Sequence, residues 1–183
     1  MELHLWLSLV AICVMGALSP GPSLALVVRN TLWGGQKQGL ATALSHGFGV
    51  GLYAAITLTG IGLVIVESPL FFSVIQYTGA AFLVYMGVKA LLASRKKVSL
   101  SFDEQQQNIK VNGWRDGFLI AFLNPKLAIF FLALFSQFID VDATLQQQAT
   151  MVATVGGIDT LWYTIVAFGL SRANVLEKLK SNS

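Results

Sequence analysis

Charge is the scarcest commodity in this 183-residue chain. Asp, Glu, Lys and Arg together make up 11% of it, against roughly 25% in an ordinary soluble domain. The 12 Lys and Arg with 9 Asp and Glu cannot cover the surface of a folded domain this long, which excludes a soluble globular protein. Disorder is excluded too, because 55% of the residues are hydrophobic and mean hydropathy is +0.67. Cysteine is down to one, Cys13, so there is neither an intramolecular disulfide nor a cysteine metal site. In its apolar run Cys13 reads as a small buried hydrophobe. The two histidines, His4 and His46, are too few for a multi-histidine metal centre, and no metal or cofactor is expected. Nucleotide-binding glycine motifs are absent, which argues against ATP-driven work by this chain alone. Nothing points to an enzyme, and a net charge of +3 is no nucleic-acid signature.

What is present is apolar length. A membrane-crossing helix needs about 20 mostly apolar residues, and five such segments appear: Leu5–Val28, Leu40–Val66, Pro69–Ala93, Trp114–Phe138 and Ala149–Leu170. They predict an all-α integral membrane protein with the lipid bilayer as its main partner. The N-terminal Met1-Glu2-Leu3-His4 carries no Lys or Arg, so the first segment reads as a retained helix rather than a signal peptide. Eleven of the 12 Lys and Arg residues fall in alternate connections or the tail: Arg29 and Lys37, then Lys89 to Arg115, then Arg172 to Lys180. The other connections hold Glu67, Asp140 and Asp142. The positive-inside rule makes the basic side cytoplasmic, with the N-terminus outside and the C-terminus inside. The polar stretch Ser94–Gly113 reads as a cytoplasmic linker. It divides the chain into 1–93, with three helices, and 114–183, with two helices and a basic tail.

Three features stand where a membrane makes them costly. Ser19-Pro20-Gly21-Pro22-Ser23 interrupts helix one, because two prolines remove two backbone donors and lipid offers the freed carbonyls nothing. Asn124-Pro125-Lys126 interrupts helix four. Lys126 is central in that span, about 18 Å from either end, too deep for its side chain to reach the interface. Asp159 lies near the middle of helix five, and a Lys126–Asp159 pair is the simplest mutual solution. Gly47 and Gly51 have the spacing that lets two membrane helices approach closely. His46 beside them reads as a packed polar residue.

Helix one enters from outside and helix four, three spans later, from inside. Two broken helices in matching positions of opposed halves are the mark of an inverted-repeat transporter. Half-helix ends offer N–H groups to anions and carbonyls to cations. A zwitterionic amino acid therefore suits a pathway lined by Pro20, Gly21, Pro22, Asn124, Pro125, Lys126 and Asp159.

These stretches, with Gly39 through Gly51, Ser68-Pro69-Leu70-Phe71, Gly79 through Leu91 and Phe118 through Gln137, resemble the LysE/RhtB family of amino-acid exporters from about residue 5 to 172. The resemblance implies efflux of a small, threonine- or homoserine-like amino acid across the bacterial inner membrane, driven by proton antiport. It also implies a 3+3 repeat, whereas residues 175–183 are too few to span a membrane. The expectation is therefore an incomplete repeat, completed across a homodimer if the protein transports. The alternative is a truncated, non-transporting paralogue or accessory membrane protein.

Overall fold

The computed structural model describes residues 2–93, 111–139 and 143–172. Their secondary structure is helical throughout: α1 (Leu3–Leu18), α2 (Pro22–Glu67), α3 (Pro69–Ala93), α4 (Gly113–Leu123), α5 (Pro125–Phe138) and α6 (Leu145–Arg172). The linker up to residue 110 and the tail from 173 lie outside the described residues.

α2 is a hairpin, not a rod. Its one non-helical residue is Gly35, at φ 77° and ψ 175°, a left-handed conformation that glycine adopts without a Cβ clash. In an unbroken helix Asn30 and Thr42 would stand about 18 Å apart, and Ser23 and His46 about 35 Å. Instead the first pair is hydrogen-bonded at 2.9 Å and the second at 2.9 Å. The chain therefore reverses at Gly35 and gives a short arm (22–34) and a long arm (36–67). The sequence reading placed the segment 29–39 in a connection between helices; it is helical except at Gly35, and Arg29 and Lys37 sit on the two arms beside the turn.

Three of the described helices, α2, α3 and α6, are long and apolar enough to cross a membrane, and the bent pair α4 and α5 makes a fourth candidate; the reversal at Gly35 divides them into five packed units. α1 and the short arm form one, interrupted at residues 19–21. The long arm, α3 and α6 are three more. α4 and α5 together are the fifth, bent by 58° at Asn124. The outer surface is apolar where lipid would touch it, with Phe48 62%, Val84 68% and Leu161 62% exposed.

The long arm is the centre of the bundle, with α6 on one side and α4 on the other; α5 then carries α3, and α1 lies against α6 and α3. Small residues make these approaches possible. A Cβ on Gly47 would collide with the Thr160 side chain, and a Cβ on Gly156 would lie 3.2 Å from Gly47 O and 3.5 Å from Gly51 Cα. On the other side Gly113 and Gly117 lie against Gln38, Thr42 and Ser45. α6 meets the long arm through a stripe with a four-residue repeat, Met151, Val155, Asp159, Tyr163 and Ala167, all buried. The one carboxylate of that stripe thereby faces protein rather than lipid. The apolar core gathers Leu9, Leu58, Met151, Leu134 and the stacked rings of Phe131 and Phe135, 5.6 Å apart.

Gly47→Val should therefore separate the long arm from α6, at a cost of about 1–3 kcal/mol or more. Gly60→Ala, where a Cβ meets nothing within 4 Å, should stay within about 0.5 kcal/mol of wild type. Thermal unfolding in detergent, followed by size-exclusion chromatography, checks both.

Candidate functional site

The two interruptions meet. α1 ends at Leu18 with Ser19 as its C-cap, and α2 starts with Pro22 in its first turn. α4 ends at Leu123, and α5 starts with Pro125 in its first turn. Proline suits a helix start because its missing N–H is one that no helical carbonyl would have accepted. Asn124 caps α5: its Oδ1 accepts from the Lys126 backbone N–H at 3.0 Å. Its Nδ2 donates to Ser23 Oγ at 3.1 Å, across the gap between the breaks.

From Ser23 the contacts continue. Ser23 Oγ lies 2.9 Å from His46 Nε2, and His46 Nδ1 lies 2.7 Å from Asp159 Oδ2. His46 is fully buried and Asp159 8% exposed. The Tyr163 ring, one turn beyond Asp159, packs edge-on against the imidazole at 5.0 Å. Four separate segments are thus joined by one hydrogen-bond chain. In water such bonds would contribute little, but in a membrane interior each polar group has no alternative partner.

Lys126 does not pair with Asp159 as the sequence suggested. Its Nζ donates to Ser19 O at 3.2 Å, the carbonyl left free where α1 ends. That placement has its own logic, since the C-terminal end of a helix carries partial negative charge. Asp159 takes its bond from His46 instead. The two groups face the same cavity, which Gly21, Ser23, Asn124 and Phe130 also line. Its volume is about 40 Å³, room for about three waters and too small for an amino acid in this conformation. Pro20, Pro22 and Pro125 are exposed and act by ending and starting helices rather than by lining the space.

At the end of the bundle near the Gly35 turn the helices are closed by polar contacts. Arg29 Nη2 donates to Asp116 Oδ2 at 3.3 Å, and Arg29 also donates to the buried Asn30 Oδ1 at 3.1 and 2.9 Å. The Gly113 N–H donates to Gln38 Oε1 at 2.7 Å. Phe130 and Phe131 line the cavity where it meets the apolar core.

Sequence reasoning named Gly21, Asn124, Lys126 and Asp159, and all four reach the cavity. It missed two residues that join them. Ser23 stood within the quoted break but was given no part, and His46 was read as packing. A signal existed for His46: a titratable side chain inside an apolar span is a functional candidate by default.

Chemically, the chain can hold and move a proton. The order Ser–His–Asp also activates serine in hydrolases, but here the hydroxyl takes a bond from Asn124 and opens on a space too small for a cleavable chain. The Arg29–Asp116 pair is part-buried, with 19% and 13% side-chain exposure. A double-mutant cycle with Arg29→Gln and Asp116→Asn should give a coupling of about 0.5–3 kcal/mol, read from thermal unfolding of the single and double variants.

Comparison with known proteins agrees with this architecture. A membrane protein of Bacillus subtilis (strain 168), YrhP, described as uncharacterized, is 29% identical over 177 residues, covering 91% of this chain and 83% of the relative. An uncharacterized membrane protein of Vibrio cholerae is 28% identical over 177 residues, covering 94% and 85%. The leucine efflux protein of Salmonella typhimurium is 28% identical over 141 residues, covering 77% of this chain and 66% of its own length. No solved structure matches. The LysE type translocator family matches residues 14–182, nearly the whole chain, and the protein belongs to that family.

Proposed function

We propose that this protein exports a small amino acid from the cytoplasm in exchange for protons. The observation that carries the reading is the convergence on one cavity of two helix breaks, a lysine and a carboxylate. The N-terminal ends of α2 and α5 offer positive potential and N–H groups to a carboxylate, and Lys126 supplies a full charge. The carbonyl ends of α1 and α4, with Asp159, suit an ammonium. Ser19, Ser23 and Asn124 add short polar groups, which favours a threonine- or homoserine-like side chain over a long one. The leucine efflux relatives make leucine the competing substrate.

Orientation follows from charge. Arg29, Lys37 and Arg115 gather at the Gly35 turn, and α3 and α6 end toward the same side with Lys89 and Arg172. That end faces the cytoplasm of a bacterial inner membrane. Substrate enters when the Arg29–Asp116 layer opens. It leaves when the aromatic side opens. A proton bound at the His46–Asp159 pair from outside competes with the substrate ammonium for the carboxylate. That competition makes the exchange obligatory.

Efflux of radiolabelled threonine, homoserine and leucine from loaded proteoliposomes, with and without a pH gradient, tests the reading. Wild type should export at least one of them faster when the gradient is imposed. Lys126→Ala removes a charge-assisted contact to the carboxylate and should lower apparent affinity roughly tenfold to hundredfold. Asp159→Asn should abolish the response to the gradient. Gradient-independent efflux in wild type, or unchanged efflux in Lys126→Ala, would overturn these assignments.

A further inference from the structure

The cavity has an apolar end, and a second cavity lies behind it. Following α1 back from the break at Ser19, the wall is made by Gly16; following α5 on from Lys126, it is made by Phe130. These residues stand about 4.5 and 6 Å along their helices from the polar groups of the breaks. Among the described residues, α3 reaches the cavity only through Met86. Gly16, Met86 and Phe130 also line a smaller cavity of about 10 Å³, whose other walls are Ile12 and Met15 of α1 and Leu83 and Gly87 of α3. No other residue borders both spaces, so these three form the partition between them.

The members of the partition are held differently. Phe130 is fixed on two sides. Its ring packs against Phe131 with centroids 5.4 Å apart. Its edge fills the place where a side chain at residue 16 would begin, since a Cβ there would lie 2.9 Å from Phe130 Cζ. Met86 is buried as well, but its unbranched chain has three rotatable bonds and adapts its shape at little cost. Next to it a Cβ on Gly87 would meet nothing within 4 Å, so there is room on the far side of the partition.

We propose that Gly16, Met86 and Phe130 form the subsite for the substrate's side chain, and that Met86 sets the longest side chain the protein exports. The inference rests on the export reading above and names which part of that site selects the substrate. A zwitterion held by its charges at the two breaks turns its side chain toward apolar surface. Val50, Phe131 and Val155 present such surface too, but with the packed core behind them; the partition has the second cavity behind it. Threonine, its hydroxyl near Ser23 and Asn124, presents a single methyl to the partition. Leucine branches one bond further out, and fits only when Met86 swings into the second cavity and the two spaces join. Met86 is therefore a specificity-determining residue, and Gly16 keeps the subsite open by carrying no side chain.

Two substitutions move this boundary in opposite directions. Met86→Ala removes the adjustable part of the partition. Gly16→Ala adds a methyl to it and crowds the Phe130 ring. Proteoliposomes are loaded with an equimolar mixture of threonine, homoserine and leucine, and the exported amino acids are quantified together by mass spectrometry. The ratio of leucine to the two smaller amino acids is internal to each sample, so a loss of folded protein does not move it. Met86→Ala should raise that ratio about tenfold over wild type, and Gly16→Ala should lower it by a similar factor. If Met86→Ala fails to fold, Met86→Val should still raise the ratio and takes its place. A ratio unmoved in either direction of substitution, or moved the same way in both, overturns the proposal. Export by wild type with an unmoved ratio overturns this inference alone, whereas no export of any of the three overturns the export reading and the inference together.

Discussion

A backbone group without a hydrogen-bond partner is costlier in lipid than anywhere else in a cell, and this chain creates such groups at mid-depth twice. Pro20 and Pro22 end one helix and begin another, and Asn124-Pro125 does the same in the second half. Neither interruption is tolerable facing lipid. They satisfy one another instead: Lys126 from the second break bonds the carbonyl of Ser19 in the first, and Asn124 from the second bonds Ser23 at the start of the short arm. The rest of the arrangement depends on that mutual requirement. It pulls α1, α2, α4 and α5 around one point and leaves a polar cavity there.

The same requirement explains why the site is made of weak-looking parts. A lysine on a carbonyl, an asparagine on a serine and a histidine on an aspartate would each contribute modestly in water. Away from bulk water few other partners compete for them. The glycines supply the other half of the construction. Gly47 and Gly51 against Gly156 and Thr160, and Gly113 and Gly117 against Thr42 and Ser45, bring the long arm close to α6 and α4, and the first of these contacts lets His46 reach Asp159, while the turn at Gly35 brings it to Ser23. The closures at the two ends differ in kind: an ion pair with buried amides near the Gly35 turn, stacked aromatic rings toward the other end.

Much of the fold was legible along the chain because its signals are local. Long apolar segments, prolines at their interruptions and glycines at four-residue spacing each act through neighbours in sequence. A reversal between residues 28 and 40 was legible, since two successive spans require one, but its form was not: the connection is helical except at Gly35. The close approach of Asn30 to Thr42 and Ser23 to His46 places the turn at that one residue. The site divided the same way. Lys126 and Asp159 stand out because charge in lipid is rare. Their pairing was misjudged, because the sequence shows two opposite charges at equal depth but not that a buried histidine stands next to one and a helix end next to the other.

The sequence by itself determined the class of protein, its long apolar segments and the places where helices break, since each follows from the cost of putting a given residue type in lipid. Tertiary structure decided who bonds to whom. Ser23, His46, Asn124 and Asp159 are separated by 23, 101 and 113 positions in the links that join them, and no local rule connects them. Partnership there is set by which helix faces meet, and that is fixed only when the glycine contacts and the two breaks are satisfied together.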